Sequence, residues 1–353
     1  GQMAELEGQL RDLATSLPAS HEQIAAVAEA AGQLGIARDD VVDFTKTAIA
    51  LGETTNLSAE EAATAIARLA NVMGSAISDV DRYGSTIVDL GNKSATTESE
   101  IIEMAQRIAG AGNQIGMAES DVLGLSAALS SVGINAEAGG SSISTAMIKI
   151  ATAVNEGGDA LSGFAEVAGM SSAQFTKLFK EDAAEALTLF VEGLGRMQQS
   201  GEDVFAVLRD LGLSEIRTRD AMLRLAGAGD LLRESLDTGA QAWRENTALT
   251  NEAEKRYATT ASKIQVAWNS IKDVAIDVGA AIAPLFGLLA DGAALVGDAF
   301  NLIPGPLKSA LGLLGGFAGV AAVAGGAFLL FAPRIVETSR ALRELDIRGR
   351  LAS

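Results

Sequence analysis

Along residues 20–228 apolar side chains recur at steps of three and four, as in Ile24, Val27, Ala28 and Ala31, the spacing of one face of an α-helix. Four of these runs open on a capping box, in which a Ser or Thr accepts a bond from an orphan backbone N–H and a Glu or Gln three residues later returns one. The pairs are Ser20 with Gln23, Ser58 with Glu61, Thr97 with Glu100, and Ser171 with Gln174. Gly35, Gly52, Gly74, Gly116, Gly133 and Gly212 fall where the periodicity stops, as left-handed C-caps do. The pattern predicts a string of helices of roughly 12 to 18 residues joined by short turns, with no alternating strand.

Laid on itself so that Gly35 falls on Gly116, the chain matches Gly35-Ile36-Ala37-Arg38-Asp39-Asp40-Val41 to Gly116-Met117-Ala118-Glu119-Ser120-Asp121-Val122. Glu22, Ala28, Ala30 and Gln33 fall on Glu103, Ala109, Ala111 and Gln114 in the same register. Either a duplication of helical hairpins or a shared helical grammar accounts for this.

Beyond residue 229 the texture changes. No glycine occurs between Gly239 and Gly279, and Tyr257, Ala261, Ile264, Trp268, Ile271, Ala275, Val278 and Ile282 keep a heptad-like period, which predicts one long helix from about residue 240 to 283 with a narrow apolar seam. Tyr257, Ile264, Trp268, Ile271 and Val278 are its candidate oligomer seam. The seam packs either on the preceding helices or on copies of itself.

Residues 274–303 are strongly apolar but carry Asp277, Asp291 and Asp298, and Pro304-Gly305-Pro306 then forces a turn. Residues 309–333 hold no charge, which is longer than the roughly 20 residues that span a bilayer core as a helix. Gly312, Gly315, Gly316 and Gly319 give it small-residue spacings for close helix packing in lipid. Arg334, Arg340, Arg343, Arg348 and Arg350 follow as a basic flank, the kind retained on the cytoplasmic side. The whole is read as all-α: Ala- and Gly-rich short helical hairpins over 1–228, a long helix over 229–283, a transmembrane-competent hydrophobic hairpin region over 284–333 and a basic flank over 334–353.

Composition supports this division and removes function classes. Of 353 residues 48% are hydrophobic but only 4% aromatic, so the core is built from close-packed small side chains. Five prolines, at 18, 284, 304, 306 and 333, leave 19–283 free of the strongest helix breaker. With 27 basic against 45 acidic residues the net charge is −18, which argues against sequence-specific nucleic-acid binding. The chain has no cysteine, so thiol nucleophiles and cysteine metal sites are absent. It opens Gly1-Gln2-Met3 without an export signal, as a piece of a longer polypeptide would.

Enzyme signatures fail in turn. His21-Glu22 begins like a zinc-protease helix, but residue 25 is Ala and no second histidine exists; His21 is expected as a solvated first-turn residue. Asp79-Val80-Asp81-Arg82-Tyr83-Gly84 imitates the front of a calcium loop, with Tyr83 and Leu90 where oxygens are needed, and reads as a turn between helices. Gly91-Asn92-Lys93-Ser94 resembles the end of a phosphate loop, but Thr86 replaces its first glycine. The pairs Glu60-Glu61 and Asp39-Asp40 sit in first helical turns, where the helix dipole accounts for them. No catalytic residue, cofactor or metal is expected.

The order of several blocks resembles the core of phage tail tape measure proteins of the lactococcal siphophage type. These blocks are Asn56-Leu57-Ser58-Ala59-Glu60-Glu61-Ala62-Ala63, Leu90-Gly91-Asn92 with 97–105, Gly133-Ile134-Asn135-Ala136-Glu137-Ala138-Gly139, Ala168-Gly169-Met170-Ser171 with Phe175, and Trp268-Asn269-Ser270-Ile271-Lys272 running through Gly279 to Pro284-Leu285. Together they cover about residues 20–330. The resemblance implies a structural protein present in a few copies in the tail-tube lumen, which sets tail length during assembly. It implies release at infection to help the genome cross the host inner membrane, with tail tube and tail tip proteins and its own copies as partners. The very long coiled-coil ruler of that family is missing from these residues. A pore-forming helical toxin with a shielded hydrophobic hairpin is the alternative, and a membrane-anchored envelope scaffold a third reading.

Overall fold

The structure, a computed structural model, describes residues 2–259, 262–270 and 273. Among them every regular element is helical and no strand occurs. After α1 (Gln2–Ser16) come three helical hairpins: α2 (His21–Gln33) with α3 (Val41–Thr54), α4 (Ala59–Met73) with α5 (Val80–Lys93), and α6 (Glu98–Gln114) with α7 (Glu119–Ser131). They are followed by α8 (Ala136–Glu156), α9 (Gly158–Val167), α10 (Ser172–Glu181), α11 (Ala183–Ser200), α12 (Val204–Asp210), α13 (Ile216–Ala226), α14 (Gly229–Glu245) and α15 (Ala248–Tyr257).

The four expected capping boxes are all formed, with Ser20, Ser58, Thr97 and Ser171 each bonded reciprocally to the residue three on. At the start of α8, Asn135 accepts from the Glu137 N–H at 2.8 Å. Ser20, Ser58 and Thr97 therefore open the three hairpins, and Asn135 opens α8, at almost even intervals along the chain. Five of the six glycines expected as stops have positive φ; the exception is Gly52. Gly52 lies inside α3, where an added Cβ would stand 2.8 Å from the Ala59 backbone nitrogen. It is there for a close approach of two helices rather than for a cap.

Helices α2, α4, α6 and α8 pack side by side as one layer, and α3, α5 and α7 as a second. Each hairpin thus stacks on the next, as in helical repeat proteins. Gly74 turns the hairpin that lies between those turned by Gly35 and Gly116, so the sequence match of Gly35 to Gly116 spans two hairpins of this stack. The step from Gly74 to Gly116 is slightly longer than that from Gly35 to Gly74. Most of the difference is taken up in α6, 17 residues against 15 in α4.

A third layer returns along the second. Helix α14 lies across α7 and α5, and α15 across α5 and α3. The backbones touch where α14 crosses α7: a Cβ at Gly239 would lie 2.8 Å from the Ser120 carbonyl oxygen, and one at Gly124 2.8 Å from that of Ser235. Further along, the rings of Tyr83 and Trp243 meet edge to face at 5.0 Å, a favoured aromatic geometry. Arg233 on α14 reaches Glu185 and Glu192 on α11 at 3.0 and 2.9 Å, which ties this layer to the cluster of α9, α10, α11 and α13.

The single long helix expected from about 240 is replaced, among the described residues, by three segments. Helix α14 stops at Asn246, a left-handed residue (φ 50°, ψ 43°), and asparagine tolerates that region better than other side chains. Its amide is held from outside, donating to Asp81 Oδ2 at 2.6 Å and accepting from Ser85 Oγ at 3.0 Å. Helix α15 ends at Tyr257, and a helical stretch over 262–270 begins under a cap from Thr259, whose hydroxyl accepts from the Ser262 N–H. All described residues except Asp273 belong to one compact unit that runs to Ser270, so α14 and α15 form part of the hairpin body. The uncharged segment 309–333 lies outside the described residues. Among those described, no helix is long and apolar enough to cross a membrane.

Candidate functional site

The core beneath the surface features is small-grained. Ala62, Ala63, Ala67 and Ala70 of α4 are buried with Ile66 and Leu69, and Tyr83, Phe164, Phe175 and Phe190 are its largest fully enclosed side chains. Small residues let helices approach closely and fix their register by shape, which suits a stack with few aromatic side chains.

Tyr83 anchors the stack between hairpins. Ser75, in the loop before α5, donates its hydroxyl proton to Glu119 Oε1 at 2.7 Å, which leaves the Tyr83 hydroxyl to donate to Ser75 at 2.7 Å. Burial raises the Tyr83 pKa well above the ordinary tyrosine value; the Ser75 bond opposes the shift, and the Glu119 and Asp79 carboxylates add to it. Tyr257, at the end of α15, is pushed up to about 12 by burial and by the Glu53 carboxylate.

Between α3, α5 and α15 lies a groove of about 480 Å³. Its apolar floor includes Phe44 and Leu249, and its walls carry Asp40, Asp43, Asp81 and Glu254. Lys46 is the only cation among the described lining residues. The groove is not legible in the sequence, because Glu254 is remote in the chain from Asp40, Asp43 and Asp81 and only the returning third layer brings it to them. Among the described residues no group of three or more His, Asp or Glu side chains is arranged to hold a metal ion.

The expected seam divides over separate elements. Tyr257 is partly buried on α15 and lines the groove. Ile264 and Trp268, one turn apart on 262–270, are 64% and 54% exposed. The opposite side of that stretch is anchored by Asn269, fully buried, whose Nδ2 donates to the carbonyls of Ala14 at 3.0 Å and Ala19 at 2.6 Å. Ile271 and Val278, and the membrane-packing glycines Gly312, Gly315, Gly316 and Gly319, lie outside the described residues. The enzyme look-alikes resolve into helix ends. His21 opens α2 and is half-buried rather than solvated, Asp79 closes a 3₁₀ turn (Ile77–Asp79) before α5, and Gly91 sits within α5.

The model of the phage-related minor tail protein family matches residues 7–214. The chain belongs to this family. No curated protein and no solved structure matches it. The matched span of this minor tail protein runs from α1 through α12, so it takes in the whole stack of hairpins and stops before α13. Family membership gives the chain a structural role in the phage tail and places it in the virion.

Proposed function

We propose that this minor tail protein is a tape measure protein. It occupies the tail-tube lumen in a few copies, takes part in setting tail length during assembly, and leaves at infection to help the genome across the host inner membrane. The family match over 7–214 carries the reading. The sequence blocks from Asn56 to Pro284 stand in the order expected of such a core. A body of stacked helices suits a filler, since a helix advances about 1.5 Å per residue and converts chain into distance. The partners on this reading are the tube, the tail tip and the protein's own copies.

The membrane step rests on residues 309–333, which carry no charge and four closely spaced glycines. Residues 274–303 are not expected to insert unaided, because each carboxylate near the bilayer centre costs roughly 2.5 to 3.5 kcal/mol on insertion scales. Removing the gene from the phage tests the assembly role. Capsids with missing tails, or tails of irregular length, support it, and tails of normal, uniform length contradict it. A glycosylation reporter fused to residues 307–353 tests insertion, with full translocation of the segment as the contrary result.

A further inference from the structure

Two unpaired surfaces of opposite character lie at opposite ends of the described body. At one end α15 covers α3, the second helix of the first hairpin; at the other α13 packs on α8, the last helix of the first layer. The first end holds the groove, and none of Asp40, Asp43, Asp81 or Glu254 has an ion-pair partner among the described residues. The second end presents Phe205 on α12 and Ile216 on α13, 57% and 71% exposed. The Arg219 guanidinium stands 5.3 Å over the Phe205 ring, and Ile216, three residues before it, shares its helix face. Neither Arg217 nor Arg219 forms a salt bridge among the described residues, although the Arg217 charge helps to lower the pKa of the exposed Glu215.

We propose that the corner formed by Phe205, Ile216, Arg217 and Arg219 of one copy docks into the acidic groove of a second copy, head to tail. Charge complementarity selects this occupant. In a chain of net charge −18, two arginines outside any salt bridge, beside exposed apolar side chains, suit an acidic site with an apolar floor, and the protein carries such a site itself. Groove against groove, or corner against corner, would set like charges face to face, so a two-fold dimer through either surface is disfavoured. Aromatic and arginine side chains are the usual anchors of protein interfaces, and a cavity of a few hundred Å³ has room for them. A head-to-tail contact uses two different patches of every copy, so it closes into a ring or runs on as a filament according to the rotation between neighbours. This goes beyond the length-setting role and stands on the described body alone.

Charge reversal on the full-length chain tests it. Arg217→Glu with Arg219→Glu makes one variant, and Asp43→Lys with Glu254→Lys another. Each alone should associate at least about tenfold more weakly than the native protein in sedimentation velocity, since like charges then face each other. An equimolar mixture should assemble again, because each corner finds a complementary groove on the other variant. Native chains that stay monomeric, variants that associate like the native protein, or a mixture that stays dissociated would overturn the proposal. A second measurement does not depend on reversed charges. The chain has no cysteine, so Ile216→Cys and Thr250→Cys, carried on separate chains, can form a disulfide only between molecules. The mixed disulfide should exceed both homodimers on mild oxidation; a statistical or smaller yield contradicts the docking.

Discussion

Gly124 of α7 and Gly239 of α14 face each other where the two helices cross, and a Cβ built on Gly239 would stand 3.5 Å from the Gly124 Cα. The tighter obstacles are backbone carbonyls, those of Ser120 and Ser235, each 2.8 Å from a side chain placed there. Backbone cannot move aside as a flexible side chain does, so Gly239→Val or Gly124→Val should lower stability by about 1 to 3 kcal/mol. Chemical denaturation measures this. Gly110 is the control, because a Cβ there meets nothing within 4 Å, and Gly110→Ala should stabilise α6 by roughly 0.5 to 1 kcal/mol.

Asn269 holds the corner between α1 and α2 through two donated hydrogen bonds. Asn269→Leu leaves buried carbonyls unpaired, at a cost of about 1 to 3 kcal/mol. Asn269→Asp should do more damage at neutral pH, because a carboxylate would then face carbonyl oxygens. Amide exchange in α1 and in 262–270 should accelerate together, and acceleration confined to one of them would show that they do not dock as a pair.

The chain has two tyrosines, Tyr83 and Tyr257, and folding raises both pKa values above the ordinary 10.0. The folded state therefore holds both phenolic protons more tightly than the unfolded chain. The stability that follows is complete below about pH 10 and drains away as pH rises through the folded-state values, which for Tyr257 lie at about 12. Ultraviolet titration should show little phenolate near pH 10 in the folded protein and about half ionisation there in denaturant, where both tyrosines titrate at the ordinary value. An ordinary tyrosine titration in the folded protein would contradict the burial of both.

The four capping boxes divide into two chemistries, glutamine at residues 23 and 174 and glutamate at 61 and 100. Hydrogen bonds from Ser58 and from Thr97 lower the Glu61 and Glu100 pKa values below 4.5. Depressed values mean that this stabilisation is present above pH 4.5 and is lost as acid titrates the carboxylates. Glu61→Gln with Glu100→Gln should keep both boxes and flatten the loss of stability below that pH. An unchanged acid slope in thermal melts would refute the assignment.

Helix starts and stops were legible in the sequence because their causes are local. Ser58 and Glu61 lie three residues apart, and Gly74 needs only its own φ of 74°. The break at Asn246 was not legible, because it is fixed by Asp81 and Ser85, 165 and 161 residues earlier. A heptad-like period shows which side of a helix is apolar and says nothing about continuity, so Tyr257 and Ile264 share a pattern but not a helix. The even spacing of the first-layer helices is visible in the sequence once Ser20, Ser58, Thr97 and Asn135 are aligned, though the longer match of Gly35 to Gly116 conceals it. The groove combines residues 40, 43, 81 and 254, which only the returning third layer brings together.

As proposed above, the chain fills the tail lumen and leaves it at infection. Quantitative mass spectrometry of purified tailed particles, before and after triggered genome ejection, tests it most directly. Peptides from residues 20–270 should be present in a few copies per intact particle and be depleted from emptied tails. Their absence from intact particles, or their full retention after ejection, would contradict the account.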